Sequence, residues 1–112
     1  MRYEIINPSD KCYIHADDVR LAQIAAISLG GGMYGLEDET GSPVLYVFQG
    51  AEVLGMSDEE RAAYMQSHWE DLAKVFESFE YAGERTSMYN IGAKAEKLAH
   101  ACRARFTAQT NE

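Results

Sequence analysis

The most regular pattern along the chain lies between Ser57 and Phe106, where apolar residues recur at spacings of three and four. Ala62, Met65, Trp69, Leu72, Phe76 and Phe79 form one stripe, and Glu70, Asp71, Lys74 and Glu77 fall off it. Ser57-Asp58-Glu59-Glu60 in front matches a capping box, in which the Ser57 hydroxyl and the Glu60 carboxylate each satisfy a free backbone N–H. A break at Ala82-Gly83-Glu84 separates this helix from a second one, running from about Arg85 to Phe106. Met88, Ile91, Ala95, Leu98, Cys102 and Phe106 share one face of it. Two such stripes on a short joint predict an antiparallel helical hairpin, with fraying expected after Thr107.

The first half alternates with the shorter period of strands. Tyr3-Glu4-Ile5-Ile6-Asn7 and Cys12-Tyr13-Ile14-His15 flank the turn cluster Asn7-Pro8-Ser9-Asp10, which predicts a β-hairpin. Asp17 or Asp18 can cap a helix carrying Leu21, Ile24, Ala25, Ile27 and Leu29, and Gly30-Gly31-Gly32 ends it. Residues 32–37 alternate weakly as a strand. Pro43 to Phe48 is an almost continuous β-branched and aromatic run, the best candidate for a central strand buried on both faces. The predicted fold is α+β: a small, mostly antiparallel sheet packed with one short helix and a long C-terminal antiparallel helical hairpin, in a single domain spanning 1–112.

Charge changes this picture. The net charge of −8 argues against binding DNA non-specifically. Residues 1–84 hold five Lys/Arg against 16 Asp/Glu, whereas residues 85–112 hold five against two, so the last helix is basic in an acidic protein. Either it sits against the acidic helix before it, or it faces a phosphate-bearing ligand. No apolar run approaches the ~20 residues of a membrane span, and the N-terminus lacks a signal-peptide pattern, which points to a cytoplasmic protein. Cys12 and Cys102 have no CxxC spacing and read as small buried thiols.

Candidate chemistry is that of binding rather than turnover. His15, His68 and His100 belong to no metal-ligand spacing, and neither a nucleophile motif nor a paired-carboxylate signature is present. The expectation is therefore a protein with no catalytic residue, metal or cofactor. The glycine triplet follows a helix instead of preceding one, unlike a phosphate loop, although Met33-Tyr34-Gly35 leaves room for a ligand's close approach. A nucleotide-like ligand asks for aromatic faces, amides and cations. Phe79, Tyr81, Tyr89, Asn90, Arg85, Lys94, Arg103 and Arg105 supply these types near the hairpin, with Phe79 also on the core stripe and Tyr81 placed to act as a cap. Asn90 and Gly92, one turn into the helix, are unusual choices for a helix built only to pack.

Tyr3 to Asp10, then Gly32-Met33-Tyr34-Gly35, then Asn90-Ile91-Gly92-Ala93-Lys94-Ala95, occur in that order and resemble a family of small phage and prophage proteins, the first-described Thoeris anti-defence sponges. The resemblance implies a non-enzymatic role: sequestering cyclic ADP-ribose isomers, the signals made by bacterial TIR-domain proteins. It also implies a small sheet with long helices, assembly into a homo-oligomer (dimer or hexamer), and in some members a second site for cyclic oligonucleotides. The family's aromatic-plus-asparagine site maps onto Phe79 and Asn90, with Tyr81 as the other aromatic match, and its C-terminal arginine onto Arg103 or Arg105. An acidic phage inhibitor that binds a host defence protein, imitating nucleic acid, is the competing expectation, and an oligomer built by the hairpin alone is a third.

Overall fold

A period-two hairpin starts the sheet. In the computed structural model, which describes residues 2–6, 11–29, 33–37, 43–47, 55–81 and 91–110, β1 (Arg2–Ile6) and β2 (Lys11–His15) pair antiparallel with Tyr3 opposite Ile14. Tyr3, Cys12 and Ile14 are buried, as the alternation requires. β3 (Met33–Glu37) pairs antiparallel with the other side of β1, and β4 (Pro43–Val47) with β3. β5, only Glu80–Tyr81, adds to β2, giving the order β4-β3-β1-β2-β5.

Among the described strands β1 is thus the middle one, and the run from Pro43 stands at an edge. That overturns its expected central place. An apolar run cannot by itself tell a central strand from an edge one, whereas Pro43, with no N–H to give a ladder, suits the first position of an edge strand. Phe48, the turn at 7–10 and the glycine triplet lie outside the described residues.

α1 (Val19–Ser28) is capped by Asp18, whose Oδ1 accepts from the Arg20 N–H at 2.8 Å. It buries Leu21, Ala22, Ile24, Ala25 and Ala26. The capping box forms as expected: Glu60 N–H donates to Ser57 Oγ at 3.1 Å and Ser57 N–H to Glu60 Oε1 at 3.3 Å.

The helix that follows is broken in two. α2 (Asp58–Gln66) ends where Ser67 Oγ bonds the Ala63 carbonyl and His68 Nδ1 sits 2.7 Å from the Tyr64 oxygen. The Ser67 N–H still reaches the Ala63 carbonyl, but the Tyr64 carbonyl takes the His68 ring and the His68 N–H moves to the Met65 carbonyl at 3.0 Å, so α3 (Trp69–Glu77) restarts beyond them. Only α3 carries the buried stripe: Trp69, Leu72, Ala73, Val75 and Phe76.

α4 (Ile91–Thr110) packs against α3 through Ile91, Ala95, Ala99 and Cys102, with Leu98 and Phe106 half-buried beside them. Tyr81 meets Gly92, Glu77 meets Arg103, Trp69 meets Arg105 and Gln66 meets Gln109, so the two arms run antiparallel. The helix continues to Thr110, past Thr107 where fraying was expected to begin, and Gln109 Nε2 donates to the Gln66 carbonyl at 3.0 Å. Cys12 and Cys102 are both buried thiols. The architecture is α+β, a small antiparallel sheet with helices. No described helix is long and apolar enough to cross a membrane.

Candidate functional site

The joint between α3 and α4 is fixed to the sheet by a short clasp. Ser78 Oγ accepts from the His15 N–H at 2.8 Å, and His15 Nε2 lies 3.3 Å from Glu80 Oε1. Cys12 pairs opposite Tyr81 in the ladder. Phe79 and Tyr81, two residues apart on this extended segment, therefore come together, with ring centroids 5.0 Å apart and planes at 88°. Edge-to-face contact of this kind holds both rings in place.

Tyr81 then reaches the start of α4, where its hydroxyl accepts from the Gly92 N–H at 2.8 Å. The first turn of a helix leaves amides without intrahelical partners, and the phenol satisfies this one. Tyr81 thus acts as the cap that its position near the joint allowed. Gly92 is small for a reason: a Cβ there would stand 3.0 Å from Tyr81 Oη and 3.1 Å from its ring.

Beside the rings runs a groove of about 290 Å³, floored by Gly92, Ala95 and Ala99 and walled by Phe76 and Phe79. Its rim is acidic as well as imidazole-bearing, with Glu77, Glu96 and His100. Arg103 forks onto Glu77, Nε to Oε2 at 3.0 Å and Nη2 to Oε1 at 2.6 Å. That hydrogen-bonded fork holds the Glu77 carboxyl below its ordinary pKa and raises that of Arg103. For Arg103, the basic helix does sit against the acidic one.

Lys94 is exposed one turn into α4. Arg105 places its guanidinium 4.9 Å over the Trp69 ring, on a different side of the hairpin contact from Phe79. Tyr34 lies in one cross-strand row with Ile5, Cys12 and Tyr81, and Met33 in the next row with Ile6 and Lys11. Three strand spacings of ~4.8 Å put the Tyr34 and Tyr81 backbones about 14 Å apart. Arg85 and Asn90 lie outside the described residues. One chain therefore brings together Phe79, Tyr81 and the start of α4, and places Arg103 across the groove on Glu77. Arg105 stands on Trp69 instead, and the Met33 and Tyr34 backbones lie three strand spacings from β5.

Among the described residues no group of three His, Cys, Asp or Glu is placed to hold a metal. His68 stacks on Tyr64 at 4.0 Å, and His100 lies 3.8 Å from Glu96 one turn away. The Glu77–Arg103 pair and the Tyr81–Gly92 bond were not evident in the chain. Their sequence signals, a glycine where a helix starts and opposite charges on two facing helices, do not name the partner. Comparison with known protein families, with curated proteins and with solved structures finds no match to this chain.

Proposed function

We propose that the protein is a phage-encoded sponge, which binds a cyclic ADP-ribose isomer at the hairpin joint, holds it uncleaved and so blocks Thoeris defence. The observation that carries the reading is the pair of aromatic rings, Phe79 and Tyr81, fixed against a helix start made of Gly92 and Ala95. An adenine face can stack on such rings, each stack contributing ~1–3 kcal/mol. The ligand class itself comes from the resemblance carried by Gly32–Gly35 and Asn90–Ala95, in which Asn90 supplies the amide.

Arg103 and Arg105 are engaged by Glu77 and Trp69 within one chain. In this reading the cations facing the ligand's phosphates are Lys94 and Arg85, complemented across a homo-oligomer, dimer or hexamer, formed through the long helices. A site pre-formed between subunits loses less order on binding. Cyclic oligonucleotides at a second site, as in some members of the resembled family, belong to the same proposal. A thermal-shift screen against cyclic ADP-ribose isomers and cyclic nucleotides tests it. Nanomolar affinity corresponds to about −12 kcal/mol. Ligand at 100 times its Kd then adds about 2.7 kcal/mol of stability, some 10 °C for a chain of this size. A flat response to every compound sinks the reading.

A second reading, an acidic inhibitor of a host defence protein, is favoured by the exposed carboxylates Asp58, Glu59 and Glu60 at the start of α2. Salt-sensitive capture of a nuclease or CRISPR complex from host lysate, without a thermal shift by nucleotides, is its expected signature.

A further inference from the structure

α2 is held unlike the other helices. None of its nine residues is buried, whereas α3, of equal length, buries five. The backbone leaves the helical path at each end. Gly55 before it has φ +63°, in the left-handed region that favours glycine, with open space where a Cβ would be. Beyond it the chain leaves the helix at Ser67–His68, where His68 has φ −134° and ψ 26° and its side chain makes no capping bond to α3.

Among the described residues α2 is held by Tyr64 and Met65, which pack half-buried against the core, and by a small set of polar and ring contacts. Tyr64 stacks on His68, the Arg20 guanidinium stands 5.7 Å from the Tyr64 ring centroid, and Gln109 reaches the Gln66 carbonyl. Between α2 and α4 lies a groove of about 340 Å³, lined by Met65, Trp69, Leu98 and Cys102 among others. The Tyr64 hydroxyl is shielded from solvent and has no hydrogen-bond partner among the described residues. Closure therefore leaves a polar group unsatisfied that opening returns to water.

We propose that α2 is a lid that opens as one unit between Gly55 and Ser67–His68, losing its helix as it leaves and uncovering the groove it shares with α3 and α4. A nine-residue helix is too short to persist without packing, so each opening exposes its amides together.

Native-state hydrogen exchange of the full chain at rising urea tests this. The amides of 61–66 should share one opening constant, at least tenfold larger than that of 72–76. Tyr64→Phe keeps the ring and removes the orphan hydroxyl, and should slow exchange in 61–66 at least threefold while 72–76 is unchanged. Rates graded smoothly from the Ser57 end would mean fraying and overturn the lid. Opening only together with α3, or no response to Tyr64→Phe, overturns it as well.

Discussion

Gly92→Ala is expected to destabilise the protein, against the ordinary preference of helices for alanine. Propensity alone favours the change by up to ~1 kcal/mol in a helix interior, and by less in a first turn. The added Cβ, however, stands 3.0 Å from Tyr81 Oη, 3.1 Å from Cε2 and 3.4 Å from Cζ. The ring has little room to retreat, because its backbone pairs with Cys12 and its edge contact with Phe79 is already closed. Moving it loses the 2.8 Å bond from the Gly92 N–H, worth about 1 kcal/mol, and overpacking costs about 1–3 kcal/mol more. The balance is a loss of about 1–4 kcal/mol, or ~4–16 °C in Tm. Urea and thermal unfolding measured side by side read it, provided the urea slope is unchanged. The Tyr81→Ala background removes the obstacle, and there Gly92→Ala should stabilise by up to ~1 kcal/mol. An equal effect of the same sign in both backgrounds refutes the placement of Tyr81 over the start of α4.

Leu72 is fully buried, so Leu72→Ala should lower stability by about 2–5 kcal/mol in urea denaturation, while the exposed Lys74→Ala should change it by no more than about 0.5 kcal/mol. Glu77 has its pKa lowered chiefly by its hydrogen bonds from Arg103, so its stabilising contribution is complete above the ordinary value of 4.5 and fades as pH falls through the lowered one. Wild type should therefore lose Tm faster than Glu77→Gln below pH 4.5. Parallel Tm–pH curves for the two proteins across that range would contradict this. Phe79→Ala should weaken ligand retention about 5- to 150-fold in equilibrium dialysis, the equivalent of one lost stack of ~1–3 kcal/mol.

Much of the fold was legible where local chemistry decides it. Ser57 with Glu60, and Asp18 before α1, are caps whose partners lie within three residues. The stripe from Trp69 to Phe76 is buried because it has helical spacing and the neighbouring charges do not share its face. The break at Ser67–His68 was not legible, since both residues sit comfortably in helices until their side chains turn back on Ala63 and Tyr64. The edge position of β4 and the extension of α4 to Thr110 depend on distant partners: β3 in one case, the Gln66 carbonyl in the other. The same holds at the candidate site. Phe79 and Tyr81 were recognisable as aromatic candidates, but their meeting depends on a two-residue strand that pairs with Cys12, far away in sequence. Arg103 carried no mark of its choice of Glu77, 26 residues earlier.

Binding without turnover is the central claim, and recovery of the ligand tests it most directly. The protein is incubated with a cyclic ADP-ribose isomer, freed of unbound compound by gel filtration, heat-denatured, and the supernatant is analysed by mass spectrometry. The expected result is the intact cyclic compound in near-stoichiometric amount, and a sharply reduced amount from Asn90→Ala with an unchanged Tm. Recovery of a linear, cleaved product, or of no nucleotide from any isomer tried, contradicts the account.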